Sequence, residues 1–308
     1  MEKPFVSVVM IAYNQEEYIG EAIESVLMQK VNFSYEILIG DDASSDKTAQ
    51  ILDDYQERYP ELIKVFHRGK NLGMCRNSYD LFGKCRGKYV AKLEGDDYWT
   101  YELKLQTQVD FLEAHKGAVA TAHNVLCVDW EGKPLPEDLI DFPMYKRHKY
   151  GRENSLNGEL FGHMSSIVFR NLRDIMTSRQ WKLYIQSTVK NDDLLTGITL
   201  GMLGYIYCFE EVWGCRRRIF EGISWTANEH KLNIPKFICS NYFKLQQYLA
   251  LAFNEKMDIS PRIANLLKEY MHICFKEFKW KNIRSVGRLL ISYFWSLKRK
   301  YRIKLEEE

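Results

Sequence analysis

The first hundred residues alternate between two hydrophobic rhythms. Residues 5–12 form a continuous apolar, β-branched run, the pattern of a strand buried on both faces. Ile19, Ala22, Ile23, Val26 and Leu27 then fall at i, i+3, i+4, i+7 and i+8, one stripe of an amphipathic helix. The cycle repeats with a strand at 35–40, then a polar turn and a helix carrying Ala49, Ile51, Leu52 and Tyr55. A third strand is expected at 62–66, a loop with Gly69 and Gly73, a helix ending near Gly87, and a fourth strand at 89–93. Alternation in units this short predicts right-handed βαβ crossovers and an α/β fold with a mainly parallel sheet flanked by helices. Ligands of such sheets bind beyond the carboxyl ends of the strands.

Two acidic clusters fall at those ends. The second strand runs into Gly40-Asp41-Asp42-Ala43-Ser44-Ser45-Asp46, and the fourth into Glu94-Gly95-Asp96-Asp97. Helix capping would account for one polar residue of the first cluster, and a solvated turn for the second. Two carboxylate clusters on one edge repel each other unless a cation or hydrogen-bond donor compensates. Hard carboxylate oxygens favour Mg²⁺ or Mn²⁺, usually with substrate phosphates completing the shell.

Composition narrows the class. The chain has 308 residues, 46% hydrophobic and 27% charged, with a net charge of +2. That is globular composition, and the charge names no partner. No apolar run approaches the ~18 residues of a membrane span. The apolar start runs straight into Tyr13-Asn14-Gln15-Glu16-Glu17 without a small-x-small cleavage site, so it is expected to be the first strand of a cytoplasmic protein. The seven cysteines are scattered and never spaced Cys-x-x-Cys, which argues against structural zinc and a disulfide framework. No Gly-x-Gly-x-x-Gly follows the first strand, which disfavours a dinucleotide-dependent oxidoreductase, and there is no phosphate-binding Gly-x-x-x-x-Gly-Lys-Ser/Thr loop.

Four segments in order carry a resemblance: Val6-Ser7-Val8-Val9-Met10-Ile11-Ala12-Tyr13-Asn14; Ile37-Leu38-Ile39 with the first acidic cluster; Asn71-Leu72-Gly73 with Arg76-Asn77; and Leu93-Glu94-Gly95-Asp96-Asp97. Over about residues 4–225 the chain resembles glycosyltransferase family 2. The resemblance implies the GT-A (Rossmann-like) fold and inverting transfer from a nucleotide sugar, most often a UDP-sugar, with Mn²⁺ or Mg²⁺. It implies that Asp42 accepts a hydrogen bond from the base, with Asp41 beside it, and that Ala12 and Tyr13 line the nucleotide pocket. Arg76 is positioned like a residue near the nucleotide or diphosphate, a surface cation being the alternative. The family's Asp-x-Asp motif corresponds to Glu94-Gly95-Asp96. Asp96 and Asp97 are then the stronger expected ligands of the metal and diphosphate, with Glu94 the departure from the usual aspartate.

The family's base opens a later helix. Asn191-Asp192-Asp193 fits that pattern, with Asp193 as the expected base and Asp192 the alternative. His163 could touch donor or acceptor, or be a satisfied core histidine. Phe220 stands where many relatives have a histidine that helps bind metal or pyrophosphate. Arg216, Arg217 and Arg218 could neutralise the diphosphate instead, since arginine matches phosphate geometry, or form a solvated basic strand end.

The expected organisation is a catalytic domain over 1–227 and a helical, basic extension over 228–308. Between residues 260 and 305, twelve Lys and Arg face only Glu269 and Glu277. Ile283, Val286, Leu290, Phe294, Leu297 and Tyr301 make an apolar stripe there. Residues 281–304 could lie on an anionic membrane at its inner face, or pack on the catalytic domain or a second subunit. Nucleic acid is not an expected partner, because no recognised motif accompanies the basic patch. The expected acceptor is a saccharide or lipid-linked saccharide. The alternative is a non-catalytic nucleotide-sugar-binding module with a degenerate site.

Overall fold

A computed structural model describes residues 3–136, 149–157, 159, 161–219 and 234–257. Phe220, the stripe of 283–301 and the expected boundary at 227/228 lie outside the described residues. The alternating region folds as β1 (Val6–Ala12), α1 (Ile19–Leu27), β2 (Tyr35–Asp41), α2 (Thr48–Arg58), β3 (Ile63–His67), α3 (Met74–Lys84) and β4 (Tyr89–Glu94). Then follow β5 (Tyr98–Trp99), α4 (Lys104–Ala114), β6 (Ala118–Val128), β7 (Lys149–Tyr150), α5 (Arg152–Leu156), β8 (Val168–Arg170), α6 (Leu172–Ile175), α7 (Ser178–Ile185), α8 (Asp192–Leu203), β9 (Tyr205–Arg217) and α9 (Ile234–Phe253).

These strands form one sheet in the order β3-β2-β1-β4-β8-β6-β9-β5, with β7 paired to β9. Its first four strands are parallel. Beyond β4 the sheet is mixed, because β8 runs antiparallel to both β4 and β6 while β9 runs parallel to β6. The chain leaves β1 on one side to build β2 and β3, then returns to its other side as β4. Such a reversal opens a crevice at the carboxyl ends of β1, β2 and β4.

Alternating side chains of β1 feed two cores. Val6, Val8 and Met10 pack with Ile19 and Ile23 of α1, Leu52 of α2 and Leu105 and Val109 of α4. Val9 joins Leu81 and Phe82 of α3, Tyr184 of α7 and Leu194 and Leu195 of α8 on the other face. Tyr242, Leu245, Tyr248 and Leu249 of α9 bury into that second core. No helix among the described residues is long and apolar enough to cross a membrane.

The sheet edge opposite the crevice is pinned by one buried carboxylate. Glu36 accepts hydrogen bonds from the Ser7 hydroxyl (2.7 Å), the Arg86 amide (3.1 Å) and the Arg86 guanidinium (2.6 and 2.9 Å). Removing it leaves the buried Ser7 hydroxyl and the partly exposed Arg86 without their acceptor. Glu36→Ala is therefore expected to lose about 3 kcal/mol of unfolding free energy in a urea titration. A loss below about 1 kcal/mol would mean that water replaces the carboxylate at little cost.

Candidate active site

The crevice begins where β1 and β2 end side by side, Ala12 opposite Asp41. The Asp42 amide donates to the Ala12 carbonyl at 2.9 Å. Its carboxylate accepts the amides of Leu72 (2.7 Å) and Gly73 (2.8 Å), fastening the Asn71-Leu72-Gly73 loop over the strand end. Asp41 accepts the Ser44 amide at 3.2 Å and stands 3.0 Å from His67 Nδ1; His67 Nε2 is 2.9 Å from Asp53. Burial alone would lower the His67 pKa, but the hydrogen bonds to Asp41 and Asp53 outweigh it and raise it.

Two non-glycine residues just past the strands, Asn14 (φ 50°) and Ala43 (φ 63°), adopt left-handed backbone. Such strain persists only where the surroundings hold it, and it concentrates at binding sites. Here the Asn14 amide donates to Ser44 Oγ at 2.9 Å, and Asn14 Oδ1 accepts the Ser45 amide at 2.7 Å. Tyr13, the neighbour of Asn14, is 36% exposed. Arg76 is exposed on α3 and donates to the Ile185 carbonyl at 3.0 Å, tying α3 to the end of α7.

The turn after β4 approaches β1 closely. A Cβ on Gly95 would lie 3.0 Å from the Ile11 carbonyl oxygen, which explains glycine between the two acids. Asp97 is buried; it accepts the Arg217 amide at 3.0 Å and the Ser165 hydroxyl. Ser165 Oγ also accepts the Glu94 amide at 3.1 Å. His163 places Nδ1 3.4 Å from Asp97 and Nε2 3.7 Å from Glu94. Potential ligand atoms of Glu94, Asp97 and His163 lie within 4.8 Å of one another.

Of the expected ligands, Glu94 and Asp97 join His163 in this cluster, and Asp96 is not among its members. Asp96 sits half-buried, its carbonyl accepting from Arg217 Nη1 at 3.0 Å. Burial and the Glu94 charge raise its pKa, and burial with the charges of Asp96 and Glu94 holds Asp97 well above the carboxylate range.

Asn191 caps α8 by accepting the Leu194 amide at 2.9 Å, leaving both aspartates in the first turn. They are not equivalent. Asp192 is buried, bonded at 2.6 Å to the fully buried Lys92 ammonium and at 2.9 Å to the Thr196 hydroxyl. The Asp193 side chain is 32% exposed, with one oxygen 3.8 Å from Lys92. Burial raises the Asp193 pKa most; Lys92 opposes the rise, and the charges of Glu94 and Asp192 add to it, so the carboxyl titrates above the ordinary range. Sequence reasoning missed Lys92. Its signal was a lone lysine inside the apolar run Tyr89-Val90-Ala91-Lys92-Leu93, in a strand expected to be covered on both faces.

A sequence profile described as glycosyl transferase family 2 matches residues 7–175, which include the strand ends, the acidic turn and His163. The chain belongs to glycosyl transferase family 2. It is 31% identical to an uncharacterised glycosyltransferase of Methanocaldococcus jannaschii over 91% of this chain and 86% of that one. It is 38% identical to an uncharacterised protein of Mycobacterium tuberculosis over 53% of this chain and 46% of that one. The match thus spans about half the length of that relative. Among solved structures, TarS 1-349 of S. aureus in complex with UDP superimposes with a TM-score of 0.55 and 18% identity, covering 88% of this chain and 72% of that one. That likeness establishes the GT-A fold.

Within this family 2 fold the three arginines separate. Arg217 is buried and committed internally: besides its bonds to the Asp96–Asp97 turn, it pairs with Glu21 of α1 and lies 4.7 Å from the Tyr98 ring centre. Its side chain braces the acidic turn against α1. Arg216 is half-buried, and its charge reaches both Asp96 and Asp193. Arg218 donates its amide to the Val128 carbonyl at 2.9 Å.

Proposed function

We propose that this family 2 glycosyltransferase moves a sugar from a UDP-sugar to a saccharide or lipid-linked saccharide hydroxyl with inversion. The observation that carries this is one charge network on the crevice edge. The Lys92 ammonium stands 3.7 Å from Glu94, in the metal-type cluster, and 3.8 Å from the half-exposed Asp193. Asp192, sealed by Lys92 and Thr196, has no oxygen to offer a substrate. Asp193 accepts the proton of the acceptor hydroxyl as its oxygen bonds the anomeric carbon and the carbon–oxygen bond to the diphosphate breaks. The acceptor oxygen enters on the face opposite the departing diphosphate, so one displacement inverts the anomeric centre.

Glu94, Asp97 and His163 would hold a divalent ion, which supplies positive charge for the departing diphosphate. Two hard carboxylates with one imidazole suit Mn²⁺ better than Mg²⁺. The base would stand at the ends of β1 and β2, where Asp41 and Asp42 shape its pocket through the loop amides they hold and Asp42 can share a carboxylate oxygen with it; Ala12 and Tyr13 would flank it, and Arg216 would add charge near the diphosphate. A UDP donor is supported by the fold shared with TarS, whose structures contain UDP and UDP-GlcNAc. The basic segment 281–304 is proposed as the contact with an anionic membrane carrying the acceptor.

Calorimetric titration with UDP and GDP, each with and without Mn²⁺, tests the donor and the metal together. UDP is expected to bind at least tenfold more tightly with Mn²⁺ and at least tenfold more tightly than GDP. Preference for GDP would overturn the donor assignment, and metal-independent UDP binding would overturn the role of the Glu94 cluster.

A further inference from the structure

Lys92 is given no step of its own in the proposed chemistry, although it joins the two acidic groups that have one. It projects from the middle of β4, a central strand, and is fully buried. A buried ammonium is costly unless it is closely paired. The pairing here is lopsided. Asp192 approaches to 2.6 Å, while Glu94 and Asp193 stand back at 3.7 and 3.8 Å. Three carboxylates therefore surround one cation, and one of them would suffice to neutralise it.

Asp192 is itself held from the far side. Its other oxygen accepts the Thr196 hydroxyl at 2.9 Å, and Thr196 meets the Tyr184 hydroxyl at 2.7 Å. Lys92 thus clamps the first turn of α8 to β4. The next residue along that turn is Asp193, carried about 100° around the helix, its partly exposed carboxylate 3.8 Å from the same ammonium. Glu94 reaches it from the end of β4. Like charges brought this close repel, and a shared cation removes that repulsion.

We infer that Lys92 is a positioning residue for sugar transfer: the common counter-ion that lets the base Asp193 and the metal-side carboxylate Glu94 share one centre. The inference rests on the proposed role of Asp193. It separates two functions of the lysine, closing the buried pair with Asp192 and presenting charge to Glu94 and Asp193. A structural role needs only the first.

Two variants distinguish them. Lys92→Met combined with Asp192→Asn removes the buried pair as a neutral unit. Asp192→Asn alone breaks the ion pair but keeps the ammonium. Each is compared with wild type for nucleoside diphosphate release from whichever nucleotide sugar the wild type turns over, with kcat and KM measured separately. Thermal midpoint and nucleotide affinity are measured alongside.

The double variant is expected to keep a thermal midpoint near wild type and nucleotide affinity within about threefold, yet lose kcat on the order of 100-fold with donor KM little changed. Asp192→Asn is expected to lose less than about tenfold, because the cation still faces Asp193. Recovery of kcat to within about threefold in the folded double variant would overturn the inference and leave the pair purely architectural. Should the double variant not fold, Asp192→Asn decides alone: a loss on the order of 100-fold with the ammonium still present overturns it, and a loss below tenfold supports it. A wild type that uses a GDP-sugar would retire the UDP assignment and leave this comparison intact. Turnover retained by Asp193→Asn would retire the base instead.

Discussion

Asp193→Asn is expected to lower sugar transfer by about 10³-fold while nucleotide affinity stays within about threefold of wild type. The substitution is nearly isosteric and leaves the Asn191 cap and the Asp192–Lys92 pair in place, so α8 keeps its first turn. What disappears is the oxygen that can take a proton. General-base contributions of this kind correspond to about 4 kcal/mol of barrier. The same group sets a pH dependence. Its pKa is raised by burial and by the charges of Glu94 and Asp192. As the proposed base it would act only when ionised, so kcat/KM is expected to fall as pH drops through that raised pKa. The acid limb of the wild-type profile should lie above the ordinary carboxylate range and be absent from the residual activity of Asp193→Asn. A variant that transfers sugar at wild-type rate would sink the base assignment. A wild type with no transfer at all would favour a nucleotide-sugar-binding module.

Removal of divalent cations with a chelator is expected to lower turnover by more than 100-fold and to be reversed by Mn²⁺. Positive charge at the departing diphosphate is worth several kcal/mol when it cannot be replaced by protein cations. Of the three arginines offered by the sequence, Arg217 is occupied by the acidic turn and Glu21. Glu94→Ala should raise the Mn²⁺ concentration for half-maximal activity at least tenfold with little change in thermal midpoint, because that side chain is only partly buried. Asp97→Ala should instead cost stability as well, since Asp97 receives the Arg217 amide and the Ser165 hydroxyl. Turnover that survives chelation unchanged would move the diphosphate's neutralisation to Arg216.

Much of the catalytic fold was legible in the chain. The seven elements from β1 to β4 begin and end within a few residues of their hydrophobic patterns, because each pattern reports a local period of two or 3.6 residues. The placing of Asp41, Asp42 and Glu94 at one edge followed from those strands being parallel neighbours. The mixed half of the sheet was not legible. β8 is three residues long and belongs between β4 and β6 only through pairings across tens of residues.

The sequence by itself determined the parallel core, the glycosyltransferase family and the acidic groups at the strand ends, since periodicity and short motifs are written in neighbouring residues. Only the tertiary structure decided how those groups divide their work. It joined His163 to Glu94 and Asp97, turned Arg217 into a brace, and set Lys92 against Asp192 so that Asp193 alone of the pair meets solvent. Those distinctions depend on which charges meet across about a hundred residues of chain and on how deeply each is buried. Burial and long-range proximity set proton affinity and availability, and neither is encoded in local spacing.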